Sequence, residues 1–537
     1  MRGADLLVRM LADEGVTRIF ALSGNQIMPV FDACIDADIE IIHTRHEAAA
    51  VYMAEAYAQF SGGLGVALVT AGAGIANSLG PVFTSKQSHT SVLLLSGDSP
   101  VSQDGRGAFQ EMDQVAMTAS LTKFSARPGN IAELAACTSD AIRLAKSGTP
   151  GPVHLALPFD VLNDITVSDD KPPITDTRSA LPNLDEVEKQ LQTAERPLLV
   201  LGPSHNETRA PGLAGKLRNR FSAPVITMES PRGLNDPALG DLRKVFGKAD
   251  LVVVLGKAVD FTLGFGGQSS VNPEAGWIVV NDDGSEIARA EKNLSKRLIN
   301  AVRYDAREVA EALADPSKLP LDSDDTGRKE WCNQVYQLLQ ARSYRMPDSG
   351  GTGPISSLQL CAAVQRQIAA IPDCIAISDG GEFGQWSQAV TAAGKRMING
   401  ISGAIGGGIG YAIGAKCAVP SSTVFMMMGD GTAGFHFIEF ETAARYNIPF
   451  VAVIGNDLRW NAEHQIQLRE YGKDRLVGCE LSDARYDLAA AALGAHGEYV
   501  TDLGGLDAAL KRAVDSGKPA CVNVMIEGTP APGPSSH

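Results

Sequence analysis

The sequence predicts an α/β protein built from three consecutive doubly wound parallel-sheet domains. Strand-like and helix-like patterns alternate almost throughout, as they do in parallel α/β layers. The apolar runs end in glycine and small polar residues, at the edge where open parallel sheets bind ligands. Two polar, proline-containing stretches divide the chain, whose 537 residues are too many for one ordinary core.

Taken in order, residues 4–15 carry a helical pattern, "VTRIFALSG" is a short strand ending at Gly24, and "IEIIHT" is another. "HEAAAVYMAEAYAQFSG" reads as a helix stopped by Gly62 and Gly63. "GVALVTAG" and "SVLLLSGD" are β-rich, and "GPVHLALPFDV" closes a first domain, residues 1–165. A linker over 165–183 leads to "RPLLVLGPS", "APVITMES", "ADLVVVLGK" and "GWIVVNDD", the buried strands of a central domain, residues 184–313. A second linker, 314–354, ends in the Gly-rich "DSGGTGPIS". The third domain, residues 354–537, holds "CIAISDGG", "TVFMMMGD", "PFVAVIGN" and "ACVNVMIEG".

Bulk properties exclude several classes. A net charge of −15 argues against a nucleic-acid partner, which needs a basic face. The eight cysteines form no C-x-x-C pair, which suits free thiols in a reducing compartment rather than disulfides or zinc. "MRGADLLVRMLADEGV" lacks the apolar core of a signal peptide. No apolar run approaches the roughly 18 residues that span a bilayer, so a cytoplasmic protein without a membrane partner is expected.

The chemistry concentrates in "TVFMMMGDGTAGFHFIEFETAARYNIPFVAVIGND". Two strands flank one helical crossover, so Asp430 and Asn456 emerge at the same carboxyl edge. A carboxylate and an amide oxygen suit a hard divalent cation, and magnesium takes its remaining ligands from phosphates. Gly429 and Gly431 let the backbone approach, and a helix starting at Thr432 offers N–H groups to a phosphate. Alone, the Gly-Asp-Gly reads first as a βα turn with a capping aspartate.

Gly-Asp-Gly followed by Asn at this spacing resembles the thiamine-diphosphate motif of the pyruvate-decarboxylase and acetolactate-synthase superfamily, and three further segments agree. "HTRHEAAAVYMAEAYAQFSG" is similar to the segment carrying the catalytic glutamate, which falls on Glu47. "NGISGAIGGGIGYAIGAK" resembles the Gly-rich run along the aminopyrimidine, with Ile405 as the residue that bends the cofactor. "GAFQEMDQVAM" resembles the loop that supplies an active-site glutamine, here Gln110. The resemblance covers nearly the whole chain and implies thiamine diphosphate and Mg²⁺ as cofactors. It also implies cofactor contacts from Glu382, Phe383, Ser402, Gly403, Gly429, Gly431 and Thr432, and a metal held by Asp430, Asn456 and the Leu458 carbonyl. Glu47 would relay a proton to the cofactor, which requires a carboxyl in a dry pocket with its pKa raised by desolvation.

A competing dinucleotide reading of Gly408, Gly410 and Gly414 lacks a preceding strand and an acidic ribose partner. Related central domains bind FAD or an adenine nucleotide; neither is expected here, since "RGLNDPALGD" replaces the His-Pro usual in acetolactate synthases. The closest resemblance is to the lyase and carboligase branch, with departures. The histidine of benzaldehyde lyase falls on Gln26, an amide that cannot exchange protons. "DLRWNAEHQIQ" departs strongly and makes Arg459, Trp460, Asn461 and Glu463 candidates for substrate selection. The implied enzyme is a carboligase or lyase acting on 2-keto acids or 2-hydroxy ketones, acetolactate synthase-like, as a homodimer or homotetramer. A 2-hydroxyacyl-CoA lyase or oxalyl-CoA decarboxylase is the alternative, disfavoured by the short tail "EGTPAPGPSSH". A silent cofactor-binding scaffold is opposed by the intact Glu47, Asp430 and Asn456.

Overall fold

A computed structural model describes residues 1–166, 180–267, 269, 271–315, 317, 326–347 and 353–533. Three all-parallel sheets follow one another along the chain. The first comprises β1 (Arg18–Ala21), β2 (Glu40–His43), β3 (Gly65–Val69), β4 (Val92–Asp98), β5 (Phe124–Ala126) and β6 (Val153–Pro158), in the order 2-1-3-4-6-5. The second holds β7 (Pro197–Leu201), β8 (Val225–Thr227), β9 (Leu251–Leu255), β10 (Gly276–Val280) and β11 (Leu298–Val302), in the order 11-10-9-7-8. The third contains β12 (Ile355–Ser356), β13 (Cys374–Ser378), β14 (Lys395–Ile398), β15 (Thr423–Gly429), β16 (Val451–Asn456), β17 (His496–Val500) and β18 (Ala520–Glu527). Its order is 12-18-16-15-13-14, with β17 pairing β18. The central strands are buried on both faces and therefore read as continuous apolar runs.

One feature differs from the sequence reading. The span 314–354, expected as a linker, contains a helix, Thr326–Gln340. Its Trp331 and Val335 enter the central core, and the Trp331 indole donates to the Pro197 carbonyl at 2.8 Å. Arg328 donates to the carbonyls of Phe221, Leu191, Gln192 and Ala194, so this helix belongs to the central domain. The first linker falls largely on 167–179, outside the described residues.

The glycines of "GGGIGYAIG" join the first and third domains. Helix Gly408–Ala418 lies on helix Glu47–Ser61 so closely that a Cβ at Gly410 would come 2.9 Å from the Tyr52 Cβ. A Cβ at Gly414 would strike the Met53 carbonyl. Close helix approach explains these positions without a dinucleotide.

Candidate active site

β15 and β16 pair directly, Gly429 opposite Gly455, so the two chain turns of the acidic motif lie side by side. Between this edge and the central domain opens a cleft of about 220 Å³. Its walls carry most of the expected residues: Glu382, Phe383, Gly403 and Ile405 on one side, and Gly429, Asp430, Gly431 and Thr432 below. Arg459, Trp460, Asn461 and Glu463 close the other side, and Pro231 and Arg232 reach in from the central domain.

The residue beside Asp430 is not the one the sequence suggests. Asp457, not Asn456, lines the cleft beside Asp430. Both halves of the Asn456 amide are spent internally. Its oxygen accepts the Leu458 N–H at 3.3 Å, and its nitrogen donates to Asn523 Oδ1 at 3.1 Å and to the Ala484 carbonyl. The amide thus caps a turn that places Leu458 at φ 59°, in the left-handed region that non-glycine residues avoid. The Leu458 carbonyl, expected as the third metal oxygen, accepts the Leu481 N–H at 2.7 Å. The spacing in "GND" offers both neighbours; only the turn decides which faces outward.

Asp430 and Asp457 are both buried and line the cleft together. Burial pushes Asp430 up to about 6, although the backbone N–H groups of Gly431 and Arg459 favour its charge. Burial and the neighbouring Asp430 push Asp457 up to about 7. Two crowded carboxyls resist ionising together unless a cation lies between them. The oxygen-only donor set and the adjoining glycine backbone fit a hard divalent ion with a diphosphate. Among the described residues no cluster of three or more His, Cys, Asp or Glu side chains forms a metal site, so the remaining ligands would be phosphate oxygens or water.

The cleft also has the shape for a cofactor. A Cβ at Gly431 would lie 2.7 Å from the Trp460 ring, and one at Gly455 would lie 2.8 Å from the Phe383 ring. Ile405 packs against Gly380, where a Cβ would come 2.5 Å from it. The Gly-rich loop around Ile405 is held by Asp379, unnoticed in the sequence: its buried carboxylate accepts N–H groups from Gly380, Gly406 and Gly408. Asn399 lines the cleft 4% exposed, with its Oδ1 unpartnered and facing no protein donor. The helix expected at Thr432 begins at Asp430 and lasts one turn, and the Thr432 hydroxyl donates to the Gly429 carbonyl.

Ser402 lies off the cleft, and several wall residues have further partners. Ser402 donates to the Thr84 hydroxyl of the first domain, away from the cleft. Glu382 accepts from Gln385 and the Ala531 N–H and lies 3.8 Å from Arg232. Asn461 donates to the Thr529 carbonyl and accepts from Gln465, so its amide fastens the chain end rather than facing the cleft freely. Trp460 meets Phe435 edge-on at 6.2 Å and forms an aromatic wall.

Glu47, Gln26 and Gln110 gather on the carboxyl edge of the first sheet. Glu47 opens its helix and accepts from Asn77 at 3.1 Å. Gln26 donates to Gln110 Oε1 at 2.8 Å and accepts from the Thr70 hydroxyl at 2.7 Å. The dry pocket expected around Glu47 is not formed by one chain, where its side chain is half-buried. None of these residues lines the cleft, whose walls come from residues 231–232 and 380–463.

Comparison with known proteins agrees with this geometry. The thiamine pyrophosphate enzyme N-terminal TPP binding domain matches residues 1–117, and the C-terminal TPP binding domain matches 379–524. The acetolactate synthase large subunit IlvG of Mycobacterium tuberculosis is 30% identical over 98% of this chain and 96% of its own. This chain is a thiamine pyrophosphate enzyme. The human 2-hydroxyacyl-CoA lyase 2 is also 30% identical, over 98% of this chain and 90% of its own. A thiamine diphosphate-dependent 4-hydroxybenzoylformate decarboxylase of Rhodococcus jostii superposes with a TM-score of 0.82 at 23% identity, covering 98% of this chain and 100% of that one, which shows the shared fold. These relatives place the thiamine pyrophosphate enzyme among carboligases and lyases. No helix among the described residues is long and apolar enough to cross a membrane.

Proposed function

We infer that this thiamine pyrophosphate enzyme makes or breaks a C–C bond next to a carbonyl in a small 2-keto acid or 2-hydroxy ketone, with Mg²⁺ as its metal. The observation that carries the reading is the buried neighbouring pair Asp430 and Asp457 lining a glycine-walled cleft. Thiamine diphosphate supplies a nucleophilic carbon and an electron sink for the carbanion left by C–C cleavage. The chain's own residues hold and orient. Asp430 and Asp457 would hold the cation, Ile405 and Phe383 shape the wall, and Asp379 fixes the loop behind Ile405.

Glu47 would act from a second copy of the chain, making a dimer the smallest active unit. Two observations support this. The cleft lining contains no residue of the first domain, and Phe109, beside Gln110, is 77% exposed at a loop tip. Burial of that edge by a partner would give Glu47 the dry setting that proton transfer to the cofactor requires.

A 2-hydroxyacyl-CoA lyase is the second reading, favoured by the 30% identity to the human lyase over nearly the full chain. Purified enzyme with thiamine diphosphate and Mg²⁺, offered pyruvate, benzoin-type ketones and 2-hydroxyacyl-CoA thioesters, separates the two by product mass. Turnover of thioesters alone would replace the first reading; no turnover of any donor would refute both.

A further inference from the structure

The turn that delivers Glu47 is held from the third domain. Glu47 opens its helix, so its place is set by the residues that lead in from β2, His43 to His46. One short stretch of the third domain grips this lead-in. The Arg45 N–H donates to a Glu439 carboxyl oxygen at 3.0 Å, the His43 N–H donates to the Tyr446 hydroxyl at 3.0 Å, and Arg445 donates to the His43 carbonyl at 2.7 Å.

Glu439 is the innermost of the three and 0% exposed. Its second oxygen accepts from the Thr442 hydroxyl at 2.6 Å, so both ends of the carboxyl are used. A polar group is buried at a cost that only such partners offset. Burial pushes its pKa from 4.5 up to about 7, against the pull of the Arg45 and His46 N–H groups. Near neutrality both protonation states are therefore populated, and each leaves an oxygen to accept from Arg45. The contact needs an oxygen in place, not a charge.

In sequence Glu439 belongs to the cleft. The helix it opens, Glu439–Arg445, follows the one-turn helix Asp430–Ala433. Between them, His436 Nδ1 donates to the Gly406 carbonyl at 2.8 Å and so holds the Gly-rich loop, while its ring meets the His46 ring edge-on at 5.4 Å. One stretch thus touches the cleft wall of its own chain and the turn before Glu47.

We propose that Glu439 and Tyr446 are positioning residues for Glu47, fixing the turn from which it reaches the cofactor of a partner chain. Given the dimeric site proposed above, on which this rests, each chain serves two sites. Its Asp430 serves its own cleft, and its Glu47, held by Glu439, serves the partner's.

Glu439→Met fills the space without an acceptor. Misplacing a catalytic group by about 1 Å costs roughly 100-fold, so kcat should fall by about that factor, with KM and thiamine diphosphate content after gel filtration near the wild-type levels. Glu439→Gln keeps an oxygen for Arg45 and should recover most of the loss. Loss of cofactor in Glu439→Met, or an equal fall in Glu439→Gln, would overturn the inference. Should Glu439→Met fail to fold, Tyr446→Phe replaces it: kcat should fall at wild-type cofactor content, and an unchanged kcat would overturn the inference.

Hybrid dimers of two differently tagged chains then show which site the residue serves. A Glu47→Ala chain paired with an Asp430→Ala chain should regain one working site, where the first chain's Asp430 meets the second chain's Glu47. Glu439→Met should regain activity when paired with Asp430→Ala and not when paired with Glu47→Ala, although in sequence it lies with Asp430. Recovery with Glu47→Ala instead would overturn the inference and leave the dimeric site standing. No recovery in the hybrid of Glu47→Ala and Asp430→Ala would overturn both.

Discussion

Replacing Glu55 by glutamine should make the enzyme more stable at alkaline pH. Glu55 lies two turns along the helix that Glu47 opens and is 1% exposed between the first and third domains. Its carboxyl accepts from Ser88 at 2.5 Å, from Ser85 and from Tyr411, while the Arg209 guanidinium lies near in the central domain. Burial outweighs these contacts and raises its pKa from 4.5 to about 7. The native state therefore prefers the protonated form. Below the unfolded value the group contributes nothing; as pH rises from about 4.5 to about 7 the native state loses stability, and above that the full penalty applies. A shift of this size corresponds to roughly 3 kcal/mol. Glutamine keeps the shape without the charge, and the surrounding hydroxyls can accept from its N–H₂. Thermal unfolding of wild type and Glu55→Gln at pH 5 and pH 8.5 reads the effect. The variant should gain on the wild type between these two values. A difference independent of pH, or one that shrinks as pH rises, would refute the burial argument.

Trp331→Ala should destabilise the central domain by about 3–5 kcal/mol, through the cavity and the lost bond to Pro197, visible as early urea unfolding. An unchanged midpoint would return the helix Thr326–Gln340 to the status of a linker. Asp379→Ala should strand the N–H groups of Gly380, Gly406 and Gly408 and loosen the loop of Ile405. Less thiamine diphosphate should then remain after gel filtration, and full retention would count against its supporting role. Gly414→Ala should force the helices Glu47–Ser61 and Gly408–Ala418 apart, lowering thermal stability far more than Gly505→Ala, whose added methyl meets open space.

The architecture was legible because central parallel strands are buried on both faces and announce themselves as apolar runs such as "LVVVL" and "TVFMMMG". The strands that escaped notice, β5, β11, β12, β14 and β17, are short or half-exposed and carry polar residues such as Ser125, Asn300, Ser356, Arg396 and Glu498. Much of the cleft wall was legible, since Glu382, Phe383, Gly403, Ile405 and residues 429–432 line it. The motif pointed to the acidic edge of the cleft, yet Asn456 and Asp457 are adjacent, and their difference lies in a left-handed turn at Leu458 that no spacing encodes. Asp379 and Asn399 were hidden for another reason. Each ends a strand, and its role depends on a loop that folds back from residues 400–408.

Titration of thiamine diphosphate into cofactor-free enzyme, in Mg²⁺ and in EDTA, tests the metal floor most directly. Wild type should bind in Mg²⁺ and lose most of that affinity in EDTA, and Asp430→Ala and Asp457→Ala should each behave in Mg²⁺ as the wild type does in EDTA. Equal binding with and without the metal, or undiminished binding by Asp457→Ala, would contradict the assignment of these two carboxylates.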